Sequence, residues 1–354
     1  MARLDDLLRK LKEGGGSDLH LAAGLEPRIR VHGGLDPVEG WQTLEHAELR
    51  ELMAELASER HWSEYEKTND CDFAYGLEGV ARFRANYFVQ ERGCAAVFRI
   101  IPEKIVSLEQ LDLPPAIEGL AHLEQGLVVV TGPTGSGKST TLAAIVDKIN
   151  RTYAKHIVTI EDPVEFVHQN KESVLSHREV GEHSTGFAPA LRAAVRQDAD
   201  VVLVGEMRDM ETISMAITAA EMGLLVFGTL HTNGAAKTID RIIDAFPASE
   251  QPQVRLSLSE SLAGVVSQLL LPTAEGSGRV AANEILLKTS GLPNLIREGN
   301  TPMIGSVIQS GKAQGMQSMD DALFALVQAE KIHPRDAYLK ATDKTRFESM
   351  VPDE

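Results

Sequence analysis

The segment Gly132-Pro133-Thr134-Gly135-Ser136-Gly137-Lys138-Ser139 places glycines, one lysine and a hydroxyl in the spacing G-x-x-x-x-G-K-[ST]. Each residue type has a task in holding a polyphosphate. The glycines let the backbone curl so that consecutive N–H groups face anionic oxygens. Lys138 brings a charge to the β- and γ-phosphates, and the Ser139 hydroxyl is a ligand for Mg²⁺. An apolar run, Leu127–Thr131, precedes the loop. A helix expected from Lys138 to about Asn150 follows, and its N-terminus adds partial positive charge. The stretch from Gly132 to Thr140 is therefore the expected binding set for a nucleoside triphosphate such as ATP.

Acids follow the next apolar runs. Glu161-Asp162-Pro163-Val164-Glu165 comes directly after His156–Ile160. In open α/β sheets, ligands sit beyond the carboxyl ends of strands, so these acids should face the nucleotide. Hydrolysis needs a group that orients or deprotonates the attacking water, and residue type alone does not separate Glu161 from Glu165. Val201–Val204 runs into Gly205-Glu206, an acid suited to the water shell of the metal. Leu225–Thr229 leads into Leu230-His231-Thr232-Asn233, where His231 is either a phosphate-sensing side chain or an ordinary loop histidine. His168, His177 and His183 lack ligand spacing, so no metal beyond the nucleotide's Mg²⁺ is expected. Arg82 and Arg84 share one face of a strand at period two, with Arg99 on the next. They read either as ordinary surface arginines or as arginine fingers for a transferred phosphoryl group.

These residues need two kinds of scaffold. Leu4, Leu7, Leu8 and Leu11 form one stripe of a first helix, which Gly14-Gly15-Gly16 ends. Short strands at Ser17–Leu21 and Arg28–Val31, a helix around Glu45–Glu59 and strands at Val80–Gln90 and Ala95–Ile100 predict an α+β domain over residues 1–101. A linker follows over 102–115, from Pro102 to Pro114-Pro115. From 116 to 354, continuous apolar runs alternate with helix-length segments, the pattern of a parallel sheet covered on both faces. From about residue 287 the pattern is helical, with Met319–Ala329 clearly amphipathic.

Composition narrows the partners. A chain of 354 residues implies about two domains. Its 51 acidic residues outnumber 35 basic ones, for a net charge of −16. That balance speaks against holding nucleic acid or anionic lipid by bulk charge. The two cysteines, Cys71 and Cys94, make neither a disulfide framework nor a cysteine zinc site. No apolar run approaches the ~18 residues needed to span a bilayer. The chain reads as cytoplasmic, with no direct membrane insertion.

The motifs in this order resemble those of the secretion ATPase superfamily, in particular its pilus-retraction branch. Ser17–Leu21 with Arg28–Val31 is similar to the start of that family's N-domain. Gly132–Thr140 is similar to its Walker A, Ile160–His168 to its Asp box, Val202–Asp209 to its Walker B and Gly228–Asn233 to its His box. Asn294–Glu298 with Ser306–Gln309 is similar to its C-terminal segment. The resemblance implies an α/β chain in which a smaller PAS-like α+β domain precedes a RecA-like P-loop ATPase domain. It implies ATP and Mg²⁺, with Glu165 as catalytic base and Glu206 as Walker B acid. It also implies that Arg82, Arg84 and Arg99 add charge to a composite site and that His231 senses nucleotide. The expected assembly is a homohexamer acting on an inner-membrane pilus platform protein, peripheral to that membrane, to retract type IV pili in twitching motility. Assembly relatives carry a tetracysteine element, which this chain lacks. Two positions depart from the pattern: Leu224 stands where a second histidine is usual, and Ala199 where proline is usual. The alternatives are an accessory or paralogous ATPase and an ATP-bound regulatory ring of low turnover.

Overall fold

Apolar stripes at helical spacing and alternating strands must bury one face each, and the first third of the chain does so around one core. The computed structural model describes residues 2–276 and 278–351. Helix α1 (Leu4–Glu13) buries Leu4, Leu7, Leu8 and Leu11 completely. Strands β1 (Asp18–Ala22), β2 (Arg28–Val31) and β3 (Gly34–Pro37) follow. Next come helices α2 (His46–Leu56) and α3 (Glu59–Thr68), then β4 (Asp70–Leu77), β5 (Ala81–Gln90) and β6 (Gly93–Ile101). The strands form one antiparallel sheet in the order β3-β2-β1-β6-β5-β4. The helix expected around Glu45–Glu59 is α2, and a second helix that was not expected, α3, follows it. Ser58 caps the start of α3 by accepting a hydrogen bond from the His61 N–H at 3.3 Å. Phe83, Tyr87 and Phe98 fill the core on the helix side of the sheet.

The second part supplies the layered sheet. Helix α4 (Pro115–Gly119) leads to β7 (Gly126–Thr131), α5 (Lys138–Thr152), β8 (His156–Glu161), β9 (Val174–Glu179) and α6 (Phe187–Ala194). Then follow β10 (Val201–Val204), α7 (Met210–Glu221), β11 (Leu225–Leu230), α8 (Ala235–Asp244), α9 (Gln251–Ser261), β12 (Leu262–Pro272) and β13 (Arg279–Leu287). The sheet order is β13-β12-β7-β11-β10-β8-β9, parallel except for the β12–β13 pair. The strands β7, β10 and β11 are buried along their whole length, with a packed core on each face. This is why they read as unbroken apolar runs.

Strands β9 and β12 are less visible in sequence. β9 is a half-exposed edge strand with Ser176-His177-Arg178 at its centre. β12 begins at Leu262 directly from α9, with no glycine or proline between them. The tail carries α10 (Leu292–Glu298), α11 (Ile304–Ser310), α12 (Met319–Gln328), α13 (Pro334–Lys340) and α14 (Thr345–Glu348). Leu323, Ile332 and Phe347 of this tail pack on Leu271 of β12 and Ala282 of β13.

The chain divides into units Met1–Lys104 and Ile105–Glu354. Leu108, in the segment expected to be a bare linker, is buried in the core of the second unit. Among the described residues, no helix is long and apolar enough to cross a membrane.

Candidate nucleotide site

The carboxyl ends of β7, β8, β10 and β11 form one edge of the parallel sheet, and the expected phosphate, acid and histidine residues all lie just beyond it. Between β7 and α5 the loop turns through left-handed glycines, with φ of 141° at Gly132, 77° at Gly135 and 85° at Gly137. Two of them are also forced by space. A Cβ at Gly132 would lie 2.2 Å from the Gln268 carbonyl oxygen, and one at Gly137 would lie 2.9 Å from Gln268 Nε2. Lys138 opens α5 and is buried; its Nζ donates to the carbonyls of Gly132 at 2.9 Å and Pro133 at 3.0 Å. Burial lowers the pKa of this ammonium, while the charges of Glu206 and Glu165 oppose that shift. Ser139 and Thr140 sit in the first helical turn. The hydroxyl of Ser136 is buried, with no hydrogen-bond partner among the described residues. A cradle of glycines, a buried cation, an unspent hydroxyl and a helix N-terminus fit a polyphosphate.

The structure separates the two acids that residue type left equivalent. Glu161 ends β8, is buried, and accepts the backbone N–H of Glu165 at 3.1 Å. Glu179 of β9 accepts the Val164 N–H at 3.0 Å. Glu165 itself is exposed. The buried acids thus shape the loop, and Glu165 is the one presented to solvent. Farther along, Asn150 at the end of α5 donates to the Gln169 carbonyl at 2.8 Å and accepts the Lys171 N–H at 3.1 Å. The helix that begins at the phosphate loop therefore also ties down the loop carrying Glu165.

Glu206 follows β10 after Gly205, whose N–H donates to the Ile160 carbonyl at 2.8 Å. Its Oε1 lies 2.6 Å from Arg208 Nε and 3.1 Å from His231 Nε2. Burial acts to raise the Glu206 pKa, but the hydrogen bond and charge of Arg208, helped by His231, hold it below the usual carboxylate range. His231 reaches Glu206 from the end of β11. The neighbouring Thr232 bonds Thr131 of β7 through its carbonyl at 2.6 Å and its hydroxyl at 2.8 Å. The histidine segment and the phosphate strand are thereby stitched together. Leu224 lies at the opposite end of β11 and packs on the apolar core.

Arg82, Arg84 and Arg99 belong to the first unit. Arg84 and Arg99 are cross-strand partners on the sheet face away from its helices. Arg99 Nε lies 2.7 Å from the buried Asp18 carboxylate, and Arg84 Nε lies 3.5 Å from Asp72. Each of these two guanidiniums therefore has an acid partner within its own unit.

His168, in the loop after Glu165, is buried and stacks on His177 with ring centroids 5.9 Å apart. Burial pushes its pKa from 6.5 down to about 4; the charges of His177 and Lys171 add to this and that of Asp147 opposes it. The unfolded chain takes up this proton near pH 6.5, and the folded chain only near 4. The stability contribution is therefore complete above pH 6.5 and is lost as pH falls toward about 4. Calorimetric unfolding midpoints should fall more steeply over that window in the wild type than in His168→Phe. Parallel slopes would remove His168 as the cause.

Sequence reasoning missed Gln268 and Glu179, which touch the motif residues without belonging to a motif, and gave no role to Arg208 within the Walker B-like segment Val202–Asp209. The apolar run Leu262–Leu271, interrupted by Ser267-Gln268, was the available signal for the first. Beside the loop is a cavity of about 890 Å³ lined in part by Leu113, Thr140, Gln268, Leu270, Arg279 and Lys331.

Residues 4–320 match the family model described as "Type II/IV secretion system protein". The chain belongs to that family. It is 48% identical over 344 residues to the Pseudomonas aeruginosa protein described as "Type IV pilus retractation ATPase PilT", covering 97% of this chain and 99% of that protein. It is 51% identical over 315 residues to a Neisseria gonorrhoeae "Twitching motility protein", covering 89% of this chain and 84% of that one. A crystal structure of the pilus retraction motor PilT with bound ADP superposes with a TM-score of 0.90 at 43% identity, covering 99% of this chain and all of that one. Within the family the fold is that of a secretion ATPase, an N-terminal domain followed by a RecA-like domain.

Proposed function

We propose that this family member is an ATP-hydrolysing motor that powers retraction of type IV pili. The observation that carries the reading is a complete phosphate loop with Glu165, Glu206 and His231 ranged beyond the same sheet edge. It is found in a chain nearly half identical, end to end, to a pilus retraction ATPase. The phosphates of ATP lie in the curl of Gly132–Ser139, and the cavity lined by Thr140, Leu270 and Arg279 takes the ribose and base. Ser139 and Glu206 would hold Mg²⁺, which when bound neutralises charge on the β- and γ-oxygens.

Glu165 accepts a proton from water as the water oxygen bonds to the γ-phosphorus. The bond to the bridging oxygen breaks, and its electron pair leaves with ADP. Lys138 and the loop N–H groups stabilise charge on the transferred group, so positioning and electrostatics supply most of the rate enhancement. His231, resting on Glu206, reports whether the γ-phosphate is present. The working form is a ring of six copies in which Arg82, Arg84 and Arg99 supply guanidinium charge to the phosphoryl group. The ring acts in the cytoplasm on a platform protein of the inner membrane.

The low-turnover alternative rests on Leu224, which lies at the far end of β11 from His231. Deletion of the gene in its host tests the proposal. Cells that keep surface pili but lose twitching agree with a retraction motor, and bald cells contradict it.

A further inference from the structure

Gln268 lies within β12 and is 2% exposed, a buried polar side chain outside every motif of the phosphate site. Its Nε2 donates to the carbonyl of Ser136 at 2.6 Å. Its Oε1 accepts the hydroxyl hydrogen of Thr141, in the first turn of α5, at 2.9 Å. Its own carbonyl oxygen occupies the space a Cβ at Gly132 would need, 2.2 Å away. One residue therefore grips the loop at its start, at its crest and where the helix begins. We propose that Gln268 is a positioning residue that sets the shape of the phosphate loop and, through it, the affinity for nucleotide.

The physical reason is the two-sidedness of a peptide chain. N–H groups of a loop can point at phosphates only if the neighbouring carbonyls point the other way. Here the Ser136 carbonyl turns toward the protein interior, where a donor must replace the water it has lost. The Gln268 amide is that donor, and Thr141 holds the amide in the one orientation that presents Nε2 to the loop. The preceding residue serves the other face of the sheet, where Ser267 Oγ accepts the Gly234 N–H at the start of α8. Successive residues of β12 thus brace the phosphate loop and the segment following His231.

The inference rests on Gly132–Ser139 being the triphosphate site, so Lys138→Ala is measured beside it. Gln268→Met keeps the side-chain volume and removes both polar contacts. Titration of the purified full-length protein with ADP should show the dissociation constant rising about tenfold, because the free loop relaxes to turn its Ser136 carbonyl to solvent and binding must bury that carbonyl unpaired again. The KM for ATP should rise more than kcat falls, and the nucleotide-free unfolding midpoint should stay close to wild type. A purely structural role would move that midpoint and leave the affinity of the folded protein unchanged. Thr141→Val keeps the Ser136 contact but frees the amide, and should give a smaller rise. It also keeps the test decisive if Gln268→Met fails to fold.

Wild-type ADP affinity in folded Gln268→Met, with affinity lost in Lys138→Ala, would overturn the role of Gln268 alone. Wild-type affinity in Thr141→Val, if Gln268→Met cannot be folded, would overturn it too. Wild-type affinity in Lys138→Ala would instead overturn the phosphate site itself.

Discussion

Glu165→Gln is expected to slow steady-state phosphate release by roughly 10²–10⁴-fold, the usual worth of a positioned general base, while ADP still binds. The substitution is nearly isosteric and falls on an exposed side chain. The loop that carries it is held by other groups: Glu161 on the Glu165 N–H, Glu179 on the Val164 N–H and Asn150 on Gln169 and Lys171. Loss of the carboxylate should therefore leave the site assembled but unable to take the proton from water. Glu161→Gln provides the contrast. It perturbs a buried acceptor that shapes the loop, so its effect should appear in stability as well as rate. Wild-type turnover in Glu165→Gln would show that the base lies elsewhere.

Lys138→Ala should fail at an earlier step. The ammonium is buried against the carbonyls of Gly132 and Pro133, and the environment that lowers its pKa also strengthens its field at a bound phosphate. Removing it should cost at least about 10²–10³-fold in kcat/KM, comparable to losing a preorganised donor from an anionic transition state. Unlike Glu165→Gln, it should weaken ADP binding as well, which titration calorimetry reads directly. Retained ADP affinity would overturn the assignment of Gly132–Ser139 as the phosphate site.

Much of this site was legible because its chemistry is local in sequence. The eight residues from Gly132 to Ser139 carry glycines at left-handed positions, the cation and the hydroxyl in one stretch. The strands beneath were legible because both their faces are buried. What could not be read depends on contacts between distant residues. Glu161 and Glu165 are chemically alike, and only the fold shows one spent on a backbone N–H and the other exposed. Gln268 lies 132 residues from the loop carbonyl it supports and looks like an interruption in an apolar strand. Arg208 sits two residues from Glu206 in the Walker B-like segment, but only the fold brings it and His231 to the same oxygen of Glu206. The helix after the expected one at Glu45–Glu59 went unread because its start is a single serine cap, Ser58, and it buries little of its length.

The central claim joins a particular carboxylate to a particular movement, so the most direct test follows single pili. Fluorescently labelled pili would be imaged on living cells of the host lacking this gene, complemented with either the wild-type or the Glu165→Gln allele. The account predicts that retraction events return with the wild-type allele. With Glu165→Gln, pili should remain on the surface but stay extended. Retraction at normal frequency and speed with the Glu165→Gln allele would contradict it.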